Sequence, residues 1–491
     1  MSMIQIENLS FCYPGSYDPV FENVSLQLDT DWKLGLIGRN GRGKTTLLRL
    51  LNGELVYEGR IASTAGFDYF PYPVIDGHRR TDAVLREIYP MAEDWELMCE
   101  LSRLEVNYEV LKQSFDTLSN GERTKLMLAA LFLNEGRFLL IDEPTNHLDA
   151  HARALVARYL QRKNGFILVS HDRAFLDGCV DHILSINRTS IEVQAGNYSS
   201  WKRNFDRQQA FERDQDERLQ RSIVHLKEAA RRSAGWSERV EATKHERNSG
   251  VKADKGYIGH KAAKMMQRSK ALNARREREI AERSALLKNS EKIDDLKLQP
   301  LRHSSERLVE LRDVRISYDG RAICGPIHFT LHRGERIAID GANGSGKSSL
   351  LKLVLGMDVP HSGEILSASG LKISYVAQDT SGLQGSLFDH AQALGIDESL
   401  YLAILRKMGF SRVQFEKNMQ DFSSGQKKKA LIAASLCQQA HLYIWDEPLN
   451  FIDIDSRIQI EDLLRRFQPT MLCVEHDRVF RETIATGILE L

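Results

Sequence analysis

The chain has 491 residues, with 67 Lys+Arg balanced by 67 Asp+Glu and 42% apolar residues, a length and composition that predict two to four globular domains with full cores. No apolar run approaches the roughly 18 residues of a membrane span, and the opening Met1-Ser2-Met3-Ile4-Gln5-Ile6 lacks the basic-then-apolar order of a signal peptide. Cys12, Cys99, Cys179, Cys324, Cys437 and Cys473 contain no C-x-x-C pair, which argues against a disulfide framework, a zinc site or an iron–sulfur cluster and for free thiols in a reducing cytoplasm.

In chain order, Ile4-Gln5-Ile6 and Phe11-Cys12-Tyr13 precede a strand over residues 33–37. That strand feeds Gly38-Arg39-Asn40-Gly41-Arg42-Gly43-Lys44-Thr45, a complete G-x-x-x-x-G-K-[ST] loop, and Thr46 to Leu51 continue it as a helix. Strand, Gly-rich loop and helix in this order make a phosphate-binding site. Leu118-Ser119-Asn120-Gly121-Glu122 follows, then Phe138 to Ile141 running into Asp142-Glu143-Pro144-Thr145-Asn146-His147-Leu148-Asp149. Four apolar residues ending in two carboxylates read as a buried parallel strand that ends at a site. Val169-Ser170-His171-Asp172 closes the series.

From about residue 198 to 305, Gly and Pro nearly disappear except in one central patch. Leu219, Ile223, Leu226 and Ala230 are spaced as a helical stripe, and Met266, Ile280 and Leu287 fall on a weaker seven-residue grid. Two helices joined by the Gly235–Gly259 region predict an antiparallel hairpin. An arm of ~35 residues at 1.5 Å each would reach ~50 Å. Residues 201–300 hold 25 Lys+Arg against 16 Asp+Glu, which leaves 42 against 51 elsewhere. A basic middle therefore sits between acidic flanks.

The first series then returns. Residues 336–340 lead into Gly341-Ala342-Asn343-Gly344-Ser345-Gly346-Lys347-Ser348, followed by Phe422-Ser423-Ser424-Gly425-Gln426, by Leu442 to Trp445 with Asp446-Glu447-Pro448, and by Glu475-His476-Asp477. The offsets are 303 for the loop lysines, 304 for Ser119/Ser423 and Asp142/Asp446, and 305 for the histidines. Four motifs in one order at one offset identify a duplicated α/β nucleotide-binding domain. In each copy the loop amides gather phosphate oxygens, Lys44 and Lys347 neutralise β/γ charge, and Thr45 and Ser348 ligate Mg²⁺. Asp142 and Asp446 hold the same ion through its water shell, and Glu143 and Glu447 orient or deprotonate water. A single histidine at a strand end is ordinarily a satisfied core residue. His171 and His476 recur 29 and 30 residues after the Asp, which makes that reading poor for both.

The S-x-G elements Ser119-Asn120-Gly121 and Ser423-Ser424-Gly425 resemble the signature of ATP-binding cassette (ABC) proteins. The resemblance covers both copies. It implies two tandem ABC-type domains, 1–196 and 306–491, joined by a helical hairpin linker, 197–305, with two ATP molecules sandwiched within the one chain. Each phosphate loop (Gly38, Asn40, Gly41, Gly43, Lys44, Thr45, Thr46; Gly341, Asn343, Gly344, Gly346, Lys347, Ser348, Ser349) would face the other half's signature (Ser423, Gly425; Ser119, Gly121). It further implies that Tyr13 and Tyr318 stack on adenine, that His171 and His476 contact the γ-phosphate, and that Gln378 in Tyr375-Val376-Ala377-Gln378 senses Mg²⁺ and water. Tyr72 stands at the counterpart of Gln378 and cannot supply an amide, so the sites are expected to differ. Asn120 and Ser424 replace a glycine usual in the signature.

Asp-Glu-Pro-Thr-Asn-His-Leu-Asp together with a charged linker looks like the ABC-F family, cytoplasmic ATPases that act on ribosomes. Tyr72 to Leu118 spans 46 residues and Gln378 to Phe422 spans 44, so no extra arm is expected in the first copy. Arg231-Arg232-Ser233-Ala234-Gly235-Trp236, the run from Gly256 to Met266 and the run from Leu34 to Lys44 resemble the Lsa/Vga-type antibiotic-resistance branch. That resemblance implies a linker that enters the E site of the 70S ribosome, beside the P-site tRNA, with its tip near the peptidyl-transferase centre of 23S rRNA. No obligate protein partner is expected. Residues 221–280 hold 16 basic against 7 acidic side chains, an excess suited to RNA phosphates. The RNA-contact candidates are Arg231, Arg232, Trp236, Lys244, Lys252, Lys255, Tyr257, Lys261, Lys264, Arg268 and Lys270. Trp236 and Tyr257 could stack on bases or pack the loop against itself. Three readings stand: displacement of lincosamide, pleuromutilin or streptogramin A drugs; a housekeeping translation factor; and an ATPase of a transporter or of DNA repair. The absence of a membrane domain and the short linker count against the third.

Overall fold

The computed structural model describes residues 3–14, 19–91, 93–134, 136–146, 148–187, 191–211, positions 214, 215, 218, 221, 224 and 228, then 296–318 and 321–491. The chain divides into two compact units, one of Met1–Trp201 with Asp294–Leu491 and the other of Lys202–Ile293. In the first unit, one half is built on a six-stranded sheet in the order β5 (Gly66–Phe70), β6 (Arg137–Asp142), β7 (Phe166–Val169), β3 (Lys33–Ile37), β8 (His182–Ile186), β9 (Ile191–Ala195). All its neighbours are parallel except β8 and β9. A three-stranded antiparallel sheet accompanies it, β2 (Phe21–Asp29), β1 (Met3–Phe11), β4 (Glu58–Ser63).

The other half repeats this plan. Its parallel sheet runs β14 (Ile373–Val376), β15 (Leu442–Asp446), β16 (Met471–Val474), β12 (Arg336–Asp340), β17 (Gly487–Glu490), and its antiparallel sheet runs β11 (Arg321–His332), β10 (Arg307–Tyr318), β13 (His361–Ser367). The duplication reaches backbone detail. Asn8 and Asp313 both take a left-handed conformation, φ 48° and 50°. Gly59 and Gly363 lie against them, so close that a Cβ on either would stand 2.5 Å from the neighbouring carbonyl oxygen.

The apolar runs before the carboxylates are buried on both faces, as parallel strands covered by helices require. Successive side chains point to opposite faces. Phe138 and Leu140 enter one core while Leu139 and Ile141 enter another. In β15, Leu442 and Ile444 part from Tyr443 and Trp445 in the same way. At ~1.5–3 kcal/mol per buried side chain of this size, these strands are fixed in register. Asp142 pairs with Val169, and Val169 with Leu36; Asp446 pairs with Val474, and Val474 with Ile339. The carboxyl ends of three adjacent strands thus come level in each half, which is where open α/β sheets build sites.

The helix that begins at 198 runs through 211. Lys202 pairs with Asp206 one turn on, and Arg218 with Asp214. The stripe Leu219, Ile223, Leu226 and Ala230, the grid from Met266 to Leu287 and the linker tip lie outside the described residues.

Candidate active site

Each phosphate loop turns on glycines where a side chain would collide. Gly43 and Gly346, the residues before the helices Lys44–Leu51 and Lys347–Val354, are left-handed with φ 90° and 94°. A Cβ on Gly43 would lie 2.6 Å from Val20 Cγ1, and one on Gly346 2.9 Å from Cys324 Sγ. By contrast, a Cβ on Gly41 or Gly344 would meet nothing within 4 Å, an open cradle at a helix start. Lys44 Nζ donates to Gly38 O at 2.7 Å, to Arg39 O at 3.3 Å and to Asn40 Oδ1 at 3.4 Å. Lys347 Nζ donates to Gly341 O and Ala342 O, both at 2.8 Å. Burial lowers the pKa of both lysines, and nearby carboxylates oppose it. A buried ammonium, a glycine-rich loop and a helix dipole make a place for an anion. Tyr13 OH lies 2.9 Å from Thr46 Oγ1 and Tyr318 OH 3.0 Å from Ser349 Oγ. Each ring is 40% exposed beside its loop.

The strand-end aspartates face the loop hydroxyls. Thr45 Oγ1 donates to Asp142 Oδ2 at 2.8 Å, and Tyr69 OH donates to the same oxygen at 3.0 Å. Burial raises the pKa of Asp446, the hydrogen bond from Ser348 opposes it, and its Oδ1 is buried without a hydrogen-bond partner. Among the described residues no group of three His, Cys, Asp or Glu could hold a metal ion. Mg²⁺ needs no such cage, since one carboxylate, substrate phosphate and water complete its shell. The hydroxyl–carboxylate pairs and the orphaned oxygen fit that ion.

The glutamates next in sequence are held in strained backbone. Glu143 and Glu447 have φ 49° and 46°, a left-handed conformation uncommon outside glycine and frequent at functional sites. Their amides donate to Val169 O at 2.9 Å and Val474 O at 3.0 Å, which ties each to the strand that carries the histidine. His171 Nε2 lies 3.2 Å from Glu143 Oε1, and His476 Nε2 3.7 Å from Glu447 Oε1.

From here the two sites diverge. Burial pushes Glu143 up to about 8, with Asp142 adding and Lys44, Arg457 and a hydrogen bond from the His171 backbone subtracting. Burial also holds His171 well below the usual imidazole range, with Lys44 and Arg457 adding to the effect. For Glu447, burial pushes up too, but His476, the Gln378 side chain and Lys428 outweigh it and leave the carboxyl below its ordinary value. Asn450 Nδ2 donates to Glu447 Oε2 at 2.6 Å. Gln378 thus bonds to the glutamate, whereas Tyr72 packs against the apolar core.

The signature serines start helices. Ser119 caps Asn120–Leu131 and Ser423 caps Ser424–Cys437, each in a capping box with Glu122 or Gln426. The second of these starts sits on the first half's loop. A Cβ on buried Gly425 would lie 2.9 Å from Asn40 Nδ2 and 2.5 Å from Phe451 O, and Asn40 Nδ2 itself donates to Phe451 O at 2.9 Å. Arg39 Nε pairs with Asp455 at 3.1 Å. Reciprocally, the charge of Asp149 reaches Lys347, and Gly121 is half-buried.

Sequence reasoning missed a buried charge network between the halves. Arg173 grips Glu461 with both guanidinium ends and lies 3.8 Å from Asp477, which pairs with Arg457 at 2.9 Å. The pseudo-equivalent of Glu461, 304 residues earlier, is Ala157, so the grip exists on one side only. Comparing the copies position by position would have exposed that difference. Removing one partner of a buried pair costs ~3–5 kcal/mol, whereas replacing both by apolar residues can be neutral. Arg173→Met should therefore lower thermal stability by about that amount, and adding Glu461→Leu should recover most of it. A double-mutant cycle on the melting transition checks this.

The RNA-contact candidates Arg231, Arg232, Trp236, Lys244, Lys252, Lys255, Tyr257, Lys261, Lys264, Arg268 and Lys270 lie outside the described residues.

A family model described as ABC transporter matches residues 21–146 and 324–450. Ribosome protection protein VmlR of Bacillus subtilis strain 168 is 28% identical over 495 residues, 98% of this chain and 85% of that protein. Energy-dependent translational throttle protein EttA of Escherichia coli strain K12 is 27% identical over 525 residues, 96% of this chain and 89% of that protein. In fold, the chain is similar to an archaeal ribosome recycling factor crystallised with a ribosomal stalk protein, with a TM-score of 0.63 at 19% identity over 98% of this chain and 87% of that one.

Proposed function

Because the chain belongs to the ATP-binding cassette family, in its ABC-F branch, and is an ATPase, we propose that it closes its two halves on two ATP molecules and uses their hydrolysis to act on the ribosome. The observation that carries the ATP part is the helix start at Gly425 seated on Asn40 of the opposite phosphate loop. In one site Lys44, Thr45, Thr46, Asp142, Glu143 and His171 would work with Ser423 and Gly425. In the other, Lys347, Ser348, Ser349, Gln378, Asp446, Glu447 and His476 would work with Ser119 and Gly121. Mg²⁺, when bound, would neutralise phosphate charge beside the hydroxyl–carboxylate pairs. The glutamates would orient water, the histidines would meet the γ-phosphate, and Tyr13 and Tyr318 would stack on adenine.

Changing Glu143 and Glu447 together to Gln keeps shape but removes the water-orienting carboxylates. Steady-state hydrolysis should fall ~100-fold or more, while ATP binding and, on this reading, ribosome association with ATP persist. Turnover at the wild-type rate would reject both assignments. The sites should also be unequal, since Gln378 bonds to Glu447 while Tyr72, half-buried, packs against the first half's core. Measured singly, Glu447→Gln should cost more turnover than Glu143→Gln, and equal losses would sink the asymmetry.

For the ribosome, support comes from near full-length similarity to proteins named for ribosome protection and for translational throttling, together with the basic excess of residues 201–300. Domains 1–196 and 306–491 would flank a linker, 197–305, that enters the E site in the cytoplasm. Its tip would dislodge lincosamide, pleuromutilin or streptogramin A drugs from the peptidyl-transferase centre. No described helix is long and apolar enough to cross a membrane, so a transporter role would call for separate membrane partners.

A housekeeping translation factor would share everything but the effect of the tip. Base stacking contributes ~1–3 kcal/mol per base, so one lost contact need not abolish binding. Shortening the segment between Arg239 and Lys255 should leave ribosome binding and ATPase activity largely intact while drug resistance disappears. The readout is the minimum inhibitory concentration in a susceptible Gram-positive host: full resistance in the shortened protein would show that the tip is not the effector, and no resistance from the intact protein would favour the housekeeping role.

A further inference from the structure

The helix Ser424–Cys437 touches both ATP sites at once. Its first turn carries Gly425 against the loop of the Lys44 site. One turn further it buries Lys428, which is 2% exposed. The Lys428 ammonium donates to Ala377 O at 2.7 Å, Gln378 O at 3.1 Å and Asp446 O at 3.3 Å, which engages all three of its N–H donors. Ala377 and Gln378 follow β14, and Asp446 ends β15. These three residues belong to the site built on Lys347.

Packing alone does not call for a cation here. The position 304 residues earlier is Thr124, also buried, and its side chain is three bonds shorter than a lysine. Burying an ammonium among carbonyls is expensive. Burial lowers its pKa to about 8 against the pull of Asp446, Glu447, Glu475 and Asp379. The lysine occurs in the half that has Gln378, and the threonine in the half that has Tyr72.

We infer that Lys428 is a positioning residue that couples the two ATP sites, tying the Gln378 loop and the Asp446 strand end of one to the helix start that completes the other. The inference rests on the composite-site reading above. An ATP molecule that orders Gln378 and Asp446 thereby orders Gly425 on the opposite nucleotide, and by linkage the reverse holds equally.

The test is equilibrium titration with Mg²⁺-ATP in the Glu143→Gln, Glu447→Gln double variant, whose slowed hydrolysis lets binding be read before appreciable ATP is consumed. With Lys428 present, filling one site should tighten the other ~5-fold or more, seen as a Hill coefficient above one. Adding Lys428→Met should lower that Hill coefficient, leaving only the cooperativity that closure of the two halves supplies. Adding Lys428→Arg instead keeps a cation with several donors and should retain most of the cooperativity. Melting curves recorded on the same samples establish that each variant is folded. If Lys428→Met weakens both sites alike with cooperativity intact, Lys428 only packs and the inference falls. It falls equally if the sites are independent with Lys428 present. Binding of a single ATP, or none, by the double variant overturns the composite-site reading itself.

Discussion

The parallel register of three neighbouring strands is the constraint on which the rest depends. In the first half β6, β7 and β3 lie side by side, and in the second β15, β16 and β12. A shift of one residue in either pairing would exchange the faces of every side chain in the strand, sending Leu139 and Ile141 toward the core that now holds Phe138 and Leu140. Two-sided burial forbids that shift. Only because the strand ends are level does the Thr45 hydroxyl meet Asp142, and only because Val169 O accepts from Glu143 N does the glutamate stand beside His171. The carboxylates proposed to orient water are therefore positioned by apolar residues of the two cores.

Duplication supplied two such platforms, and divergence made them unlike. Their shared parts are backbone features and main-chain contacts: left-handed Glu143 and Glu447, the loop glycines, the lysine-to-carbonyl bonds. The differences are side chains that reach beyond their own half or their own motif. Glu461 meets Arg173, but Ala157 has nothing to offer Arg478, which turns to Glu482 on its own helix.

The motifs at one offset were enough to read the central strands, the loops and the helix starts from the sequence, because each rests on local chemistry: glycine for a tight turn, an apolar run for a two-sided strand, a serine with Glu or Gln three residues on for a helix start. What the sequence withheld depends on distance in space. Nothing local in Arg173 distinguishes it from Arg478, and three adjacent lysines, Lys427 to Lys429, look like a solvated helix face. In the fold Lys428 and Lys429 are buried, the first on carbonyls and the second on Asp453. Tyr72 was legible as a departure from glutamine, but its engagement with the apolar core was not.

The junction between the halves also explains how an ATPase of this kind can remain reversible. Buried ion pairs add little net stability over apolar packing, because desolvation cancels most of the attraction. They are sensitive to geometry, however, and an opened pair can be rehydrated. An interface made of Arg173, Glu461, Asp477 and Arg457 therefore specifies one closed arrangement without committing the halves to it. An apolar seal of the same area would stabilise closure whether or not nucleotide was present. On the proposed closure, charges at this seam, beside Ile454 and Ile458 packed on the first half's core, would leave much of the free energy that favours closure to the ligand, so that loss of the γ-phosphate would release it.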